Sequence, residues 1–197
     1  MEAIGIMSVL FGLLISTLIV AAVVYFIVRR RNGQEVITAP NVLTAYFYVM
    51  TGASIVVTSV GMGLLLRTLL GRAFDTGEPI ANGVTLGIVV LVTGLVFCVS
   101  HIFGRRAFEK KQGKTANALR RVYLFFMLAI YSLAGLVAVP MAAYETAHYF
   151  INGSRPWENP AGVLATAIVV VPLWIYYLVL VLRETHSTKK EDAAQPQ

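Results

Sequence analysis

The sequence has 197 residues, of which 57% are hydrophobic and 13% charged, and its mean hydropathy is +0.74. Soluble domains carry about 25% charged residues, so the composition excludes an ordinary soluble domain and indicates an integral membrane protein. The formal net charge of +6 does not indicate nucleic-acid binding, because the basic residues lie between apolar runs rather than among the residues of a folded surface. The one cysteine, Cys98, excludes an intrachain disulfide.

Five apolar runs follow one another along the chain, at residues 3–28, 43–66, 83–103, 122–143 and 161–182. Each is long enough to cross the bilayer, and helices satisfy all backbone hydrogen bonds in lipid. We therefore predict an all-α bundle of five transmembrane helices. The first run precedes a basic cluster, Arg29 to Arg31, whereas a signal peptide begins with basic residues. We expect this run to be retained as a helix.

The distribution of Lys and Arg predicts the orientation of the helices. With the N-terminus outside, thirteen of the sixteen basic residues fall in the segments 29–42, 104–121 and 183–197, and three fall on the other side. Segments on the cytoplasmic side of a membrane carry such an excess. We expect a multi-pass protein of the bacterial cytoplasmic (inner) membrane, with the C-terminal tail, residues 184–197, disordered in the cytoplasm.

The middle of the sequence contains a weak internal repeat. A shift of 77 residues aligns the second and third runs with the fourth and fifth without gaps. The identities over about sixty positions include Tyr46/Tyr123, Met50/Met127, Val60/Val137, Asn82/Asn159, Val92/Val169 and Arg106/Arg183. Both pairs would enter from the cytoplasm, which makes them parallel repeats. The predicted units are an N-terminal helix with its basic linker (1–40), two helical hairpins (41–106 and 107–183) and the tail.

Two local patterns carry a resemblance to a known family. Residues 120–125 form a basic and tyrosine-containing helix start, and residues 171–174 (Val-Pro-Leu-Trp) precede a basic exit. Phe97 and the exit from His101 to Arg106 form the corresponding pattern in the first hairpin. Over about residues 41–183 the chain resembles an uncharacterised bacterial integral-membrane family, a domain of unknown function built from two-helix hairpin repeats. The resemblance implies the hairpin fold and no activity. Thr44 and Ala45 depart from it, since they stand where the family has a basic pair.

Small and hydroxyl-bearing residues recur at helical spacing within the apolar runs, which is typical of closely packed membrane helices. We predict that eight of them pack helices together: Thr51, Ser54, Thr58, Gly61, Gly83, Gly87, Ala134 and Ala138. A polar track for a substrate is the alternative interpretation of the hydroxyl groups. It would need polar residues on the facing helices, where Tyr131, Ser132, Tyr176 and Tyr177 are available.

The sequence offers little for catalysis or metal binding. Glu145 and His148 share a helix face, but a di-metal site of the carboxylate bundle type needs a second such motif and further Glu residues. We expect no catalytic residue, no metal and no cofactor of the chain's own. If a haem or chlorophyll were shared with a partner chain, His101 and His148 would be the candidate ligands.

Because all surfaces outside the membrane are small, the sequence favours a non-enzymatic role. We expect an accessory or structural subunit that packs, among membrane lipids, against a larger membrane complex, for example an energy-transducing one. The alternative is a small homo-oligomeric transporter or channel, which would need a continuous polar stripe lining water.

Overall fold

The computed structural model describes residues 39–74, 80–112, 114–152 and 160–194, with side chains over 43–74, 81–107, 119–151 and 160–186. These residues form four α-helices: α1 (Ala39–Ala73), α2 (Ile80–Gln112), α3 (Lys114–Asn152) and α4 (Ala161–Ala194). The predicted N-terminal helix at residues 3–28 lies outside the described residues.

All four helices contain a segment that is long and apolar enough to cross a membrane. The segments are Leu43–Ala73, Ala81–Ala107, Leu119–Ile151 and Ala161–His186. The predicted all-α, multi-pass membrane fold is confirmed in this coarse sense, because every helix that the structure describes contains such a segment. The predicted number of five spanning helices is not matched, since the structure describes four.

The helices extend beyond the apolar runs from which they were predicted. The helix α2 reaches Gln112 and α3 begins at Lys114, so most of the predicted loop 104–121 is helical. The helix α4 continues to Ala194, within the segment predicted to be a disordered tail. The length of an apolar run reports only the thickness of the hydrocarbon layer that the helix crosses. Helical hydrogen bonds continue past it wherever the polar residues are good helix formers, as Lys, Glu, Gln and Ala are.

The helices pack as two antiparallel hairpins, α1 with α2 and α3 with α4. Between the hairpins, α1 packs mainly on α4 and less on α3, whereas α2 meets α3 at few positions. The order of packed neighbours is therefore α2, α1, α4, α3. The start of α1, the end of α2, the start of α3 and the end of α4 lie together, and we call this the basic end because Arg105, Arg106, Arg120, Arg121 and Arg183 lie there.

The core lies between the second hairpin and α1. Six buried side chains of α3 and α4 form it: Leu124, Met127, Tyr131, Val170, Tyr177 and Val181. Ile55 and Val56 of α1 pack against this cluster. The core is thus built by three helices, and α2 is attached to it through α1.

Candidate functional site

Where α1 faces α2, the backbones of the two helices are in direct contact. A Cβ atom on Gly94 would lie 2.7 Å from the backbone nitrogen of Thr58, and one on Gly61 would lie 2.6 Å from the Cα atom of Leu91. Glycines remove the side chain that would hold two helices apart, so this contact is closer than ordinary side-chain packing allows.

The other glycines predicted to pack helices lie along the same contact. Gly87 meets Leu65, where an added Cβ would lie 2.7 Å from the leucine Cγ atom. Gly83 meets the side chain of Thr68. The two positions face α1 at successive turns of α2, nearer the end opposite the basic end.

The hydroxyl groups predicted on α1 bond to their own helix. Thr51 donates a hydrogen bond to the Phe47 carbonyl (2.7 Å) and Ser54 donates one to the Met50 carbonyl (2.6 Å). Thr58 donates to the Ser54 carbonyl at 2.8 Å. Serine and threonine commonly bond one turn back in this way within helices. The single proton of each hydroxyl is thereby used within α1.

The two predicted alanines lie on α3. Ala138 is buried, and Ala134 packs at the margin of the core cluster. Ala161 and Ala165 of α4 are buried as well. These small side chains occur in the part of the second hairpin away from the basic end, whereas the buried tyrosines, Tyr131 and Tyr177, lie nearer to it.

A cluster of four hydroxyl-bearing side chains connects α1, α3 and α4, and we call it the tyrosine cluster: Ser59, Tyr123, Tyr131 and Tyr177. The hydroxyls of Ser59 and Tyr131 lie 2.9 Å apart. Ser59 donates its one proton to the Ile55 carbonyl at 2.8 Å, so Tyr131 donates to Ser59. The ring of Tyr131 is stacked on that of Tyr177, with centroids 5.7 Å apart and an interplanar angle of 11°.

The tyrosine cluster continues towards the basic end through Tyr123. Its hydroxyl lies 3.2 Å from that of Tyr177. The guanidinium carbon of Arg105, from α2, lies 5.1 Å from the ring centroid of Tyr48 and 5.7 Å from that of Tyr123. A cation within about 6 Å of an aromatic ring centroid is attracted by the ring quadrupole. Arg105 therefore joins α2 to α1 and α3.

An ionic contact joins the two helices of the second hairpin at the same end. Glu184 of α4 lies 3.3 Å from Arg120 and 3.6 Å from Arg121 of α3. The arginine side chains are about half exposed, so solvent screens the pair and its contribution to stability is small.

The two candidate cofactor ligands lie far apart in the fold. His101 is near the basic end of α2, where its Nδ1 donates to the Phe97 carbonyl at 2.7 Å and its ring is stacked on that of Phe97. His148 is near the other end of α3, beside Tyr144. The structure does not bring the two histidines together. Within the described residues, no group of three His, Cys, Asp or Glu side chains is placed to hold a metal ion.

Sequence reasoning missed half of this site. Of the four polar residues offered on the helices facing α1, Tyr131 and Tyr177 belong to the cluster, whereas Tyr176 is exposed and Ser132 is half-buried outside it. Ser59, Tyr123 and Arg105 were not named as their neighbours. The spacing of eight between Tyr123 and Tyr131 places both on one helix face, and this signal was available. No sequence signal pairs Arg105 with rings on two other helices, because that contact depends on how the hairpins are placed.

Residues 44–152 match the family described as a domain of unknown function, DUF5671. The match extends from the start of the α1 span to the end of α3 and includes more than half of the chain. No curated protein and no solved structure matches the chain. The chain belongs to the DUF5671 family of domains of unknown function.

Proposed function

We propose that this chain is a non-catalytic subunit that packs against other proteins of a larger membrane complex through its lipid-facing helix surfaces. One observation carries the proposal: among the described residues, α2 packs on α1 and leaves most of its apolar length uncovered. Only 17% of its most apolar stretch is buried, the same share as in α4 and close to the 22% of α1 and α3, but α2 is the helix that packs closely on one neighbour alone.

Most of the uncovered residues of α2 are large and apolar. They include Ile88, Val89, Val92, Leu95, Val96, Phe97, Val99 and Phe103. Lipid covers such a surface at no cost, and a partner helix of matching shape competes with lipid through closer packing. Because α2 contacts its own bundle along one side only, the rest of its surface is available to a partner helix.

The polar groups of the core favour a structural role for the interior. Tyr131 donates to Ser59, Tyr123 and Tyr177 are within hydrogen-bond distance of each other, and the hydroxyls of α1 bond to their own backbone. Interhelical hydroxyl contacts of this kind hold membrane helices together. A transport path needs polar groups that exchange partners with a substrate or water along a continuous line.

A small homo-oligomeric transporter or channel is the alternative. Its pore would lie between copies of the chain. The exposed hydroxyl residues Thr85, Thr93 and Ser100 of α2 are its best candidates for a lining, but Thr85 and Ser100 also bond to carbonyls of their own helix. The observation that supports it is thus weaker than the one that supports a subunit.

The proposed placement is the bacterial cytoplasmic membrane, with the basic end of the bundle in the cytoplasm. The excess of Lys and Arg in the segments that meet at this end supports it. The proposal includes no enzymatic activity and no cofactor of the chain's own.

The test is extraction of the tagged protein from its native membrane in mild detergent, followed by size separation and identification of the bound proteins. Stoichiometric recovery with larger membrane proteins is expected. Val96→Trp on the uncovered face of α2 should reduce that recovery, whereas Leu182→Trp on α4, also exposed, should not. Recovery of the chain alone as a defined homo-oligomer would contradict the subunit proposal and favour the transporter or channel.

A further inference from the structure

Arginine side chains from three helices occupy the basic end of the bundle, and we call them the arginine patch. They are Arg105 and Arg106 of α2, Arg120 and Arg121 of α3, and Arg183 of α4. Glu184 is the one acidic side chain among the described residues at this end. The sequence shows the same imbalance, because residues 104–121 include seven basic residues and one acidic residue. The positive charge of this end therefore does not depend on the partner of any single arginine.

The arginines of α2 and α3 are brought to one place by Tyr123. The guanidinium carbon of Arg105 lies 5.7 Å from the centroid of its ring. Arg120 lies three residues before Tyr123 on α3, so these two side chains share a helix face. Arg105 and Arg120 therefore lie beside the same tyrosine, although α2 and α3 otherwise meet at few positions. The arginine patch thus spans the boundary between the two hairpins.

Within the described residues, the contacts of the arginine patch position the arginines and supply one negative charge. Aromatic rings attract Arg105 through their quadrupoles but carry no net charge. The carboxylate of Glu184 lies 3.3 Å from Arg120 and 3.6 Å from Arg121, so two guanidinium groups share its charge. Like charges held close together repel each other, and a further anion at this point lowers that repulsion.

An exposed apolar stripe begins on α3 directly beside the arginine patch, since Val122 follows Arg121 in the sequence. The stripe consists of Val122, Phe125, Leu133 and Leu136, all exposed. Their separations of three, eight and three residues place them on one side of the helix. At a rise of 1.5 Å per residue the stripe is about 21 Å long. It is therefore longer than the half-thickness of the hydrocarbon core, which is about 15 Å.

We propose that the arginine patch binds the headgroup phosphate of an anionic phospholipid, whose acyl chains lie along the apolar stripe of α3. Guanidinium groups bind phosphate oxygens through two parallel hydrogen bonds, and basic sites between membrane helices bind anionic headgroups. A free phosphate ion would match the arginine patch but leave the stripe uncovered. The stripe is separate from the uncovered apolar face of α2. The proposal therefore does not depend on the subunit role, and a partner protein and the lipid can bind together.

The test is the effect of added lipid on the thermal unfolding of the purified full chain in a mild, uncharged detergent. Phosphatidylglycerol should raise the unfolding midpoint to a plateau, because a ligand that binds only the folded state stabilises it. Phosphatidylcholine with the same acyl chains should leave the midpoint nearly unchanged, and so should inorganic phosphate at the same concentration. The effect of phosphatidylglycerol should decrease at high salt, since salt screens charges at the membrane surface.

Arginine variants locate the site. Arg121→Gln and Arg120→Gln should each weaken the apparent affinity for phosphatidylglycerol about fivefold, the effect of one basic residue near an anionic membrane surface. Arg72→Gln removes the same charge from an exposed position near the other end of α1 and is the matched control, so its affinity should be unchanged. Arg120→Gln also guards against misfolding of the first variant, since the side chain of Arg120 is half exposed.

Four results would overturn the proposal. Equal midpoint shifts with phosphatidylcholine would indicate general solvation by lipid, and equal shifts with inorganic phosphate would indicate a site for soluble anions. An equal loss of affinity in Arg72→Gln would indicate attraction by the net charge of the protein rather than by the arginine patch. Unchanged affinity in both α3 variants would show that the lipid binds elsewhere.

Discussion

Gly94 of α2 lies directly against the backbone of Thr58 on α1, where an added Cβ atom would be 2.7 Å from the threonine nitrogen and 2.9 Å from its Cα atom. Backbone atoms cannot rotate away as the end of a side chain can. This position therefore fixes the distance between α1 and α2, and with it the attachment of α2 to the bundle.

We expect Gly94→Ala to destabilise the protein, because the new methyl group forces the two helices apart. Overpacking of a well-packed contact costs about 1–3 kcal/mol. Gly63→Ala is the matched control, since among the described residues no atom outside its own helical turn lies within 4 Å of its Cβ position. Its effect should be neutral or slightly stabilising, because alanine has the higher helix propensity. Thermal unfolding in detergent, followed by near-ultraviolet circular dichroism, measures both. Equal midpoints for the two variants would contradict the close contact.

The sequence predicted much of this contact but not its pairing. The spacing of Gly61, Gly83 and Gly87 indicated packing faces, and each glycine lies against the other helix of the first hairpin. Which residue each would meet depends on the register between α1 and α2, and composition carries no information on register. The helix ends were also predicted too short, because hydropathy reports the thickness of the lipid and not the length of the hydrogen-bonded backbone.

The tyrosine cluster shows a second limit of sequence reasoning. Tyr131 and Tyr177 could be named because they interrupt apolar runs. Their contact with Ser59 requires α1 to lie against α3 and α4, and the placement of one hairpin on the other follows from the shapes of many side chains together. The order α2, α1, α4, α3 was not predictable for the same reason, and a two-fold arrangement would have satisfied the same hydrophobic pattern.

The contact of Arg105 with Tyr48 and Tyr123 gives a second prediction. Arg105→Ala should lower the free energy of unfolding by about 0.5–2 kcal/mol, the range for cation–π contacts, with some loss of packing by the arginine stem. Arg105→Lys should restore only part of the lost free energy of unfolding. The lysine keeps the positive charge, but its ammonium group lacks the planar shape that stacks on rings. Arg106→Ala removes the same charge from the next, exposed position and is the control. If Arg106→Ala destabilised the protein as much, charge at this end rather than ring contact would be responsible.

A double-mutant cycle tests the hydrogen bond between Ser59 and Tyr131. Tyr131→Phe removes the donor and Ser59→Ala the acceptor, and interhelical hydrogen bonds in membrane proteins contribute about 0.6 kcal/mol on average. We expect a coupling energy of about that size, measured by chemical denaturation in mixed micelles. Tyr144→Phe, at an exposed position, should change stability little and shows the effect of losing a tyrosine hydroxyl alone. Additive effects of the two cluster substitutions would contradict the bond.

The orientation of the bundle can be tested with two single-cysteine variants in a Cys98→Ser background. Arg72 lies near the end of α1 and His186 near the basic end of α4, and both side chains are exposed. Thirteen of the sixteen basic residues belong to the sequence segments 29–42, 104–121 and 183–197, which contain the helix ends of the basic end, so we expect that side to be cytoplasmic. A membrane-impermeant maleimide should therefore label Arg72→Cys in right-side-out vesicles and His186→Cys in inverted ones. The reverse labelling pattern would show that the orientation is opposite to the predicted one, without contradicting the fold. Labelling of both from one side would contradict the fold itself, since α1 and α4 would then end on the same face of the membrane.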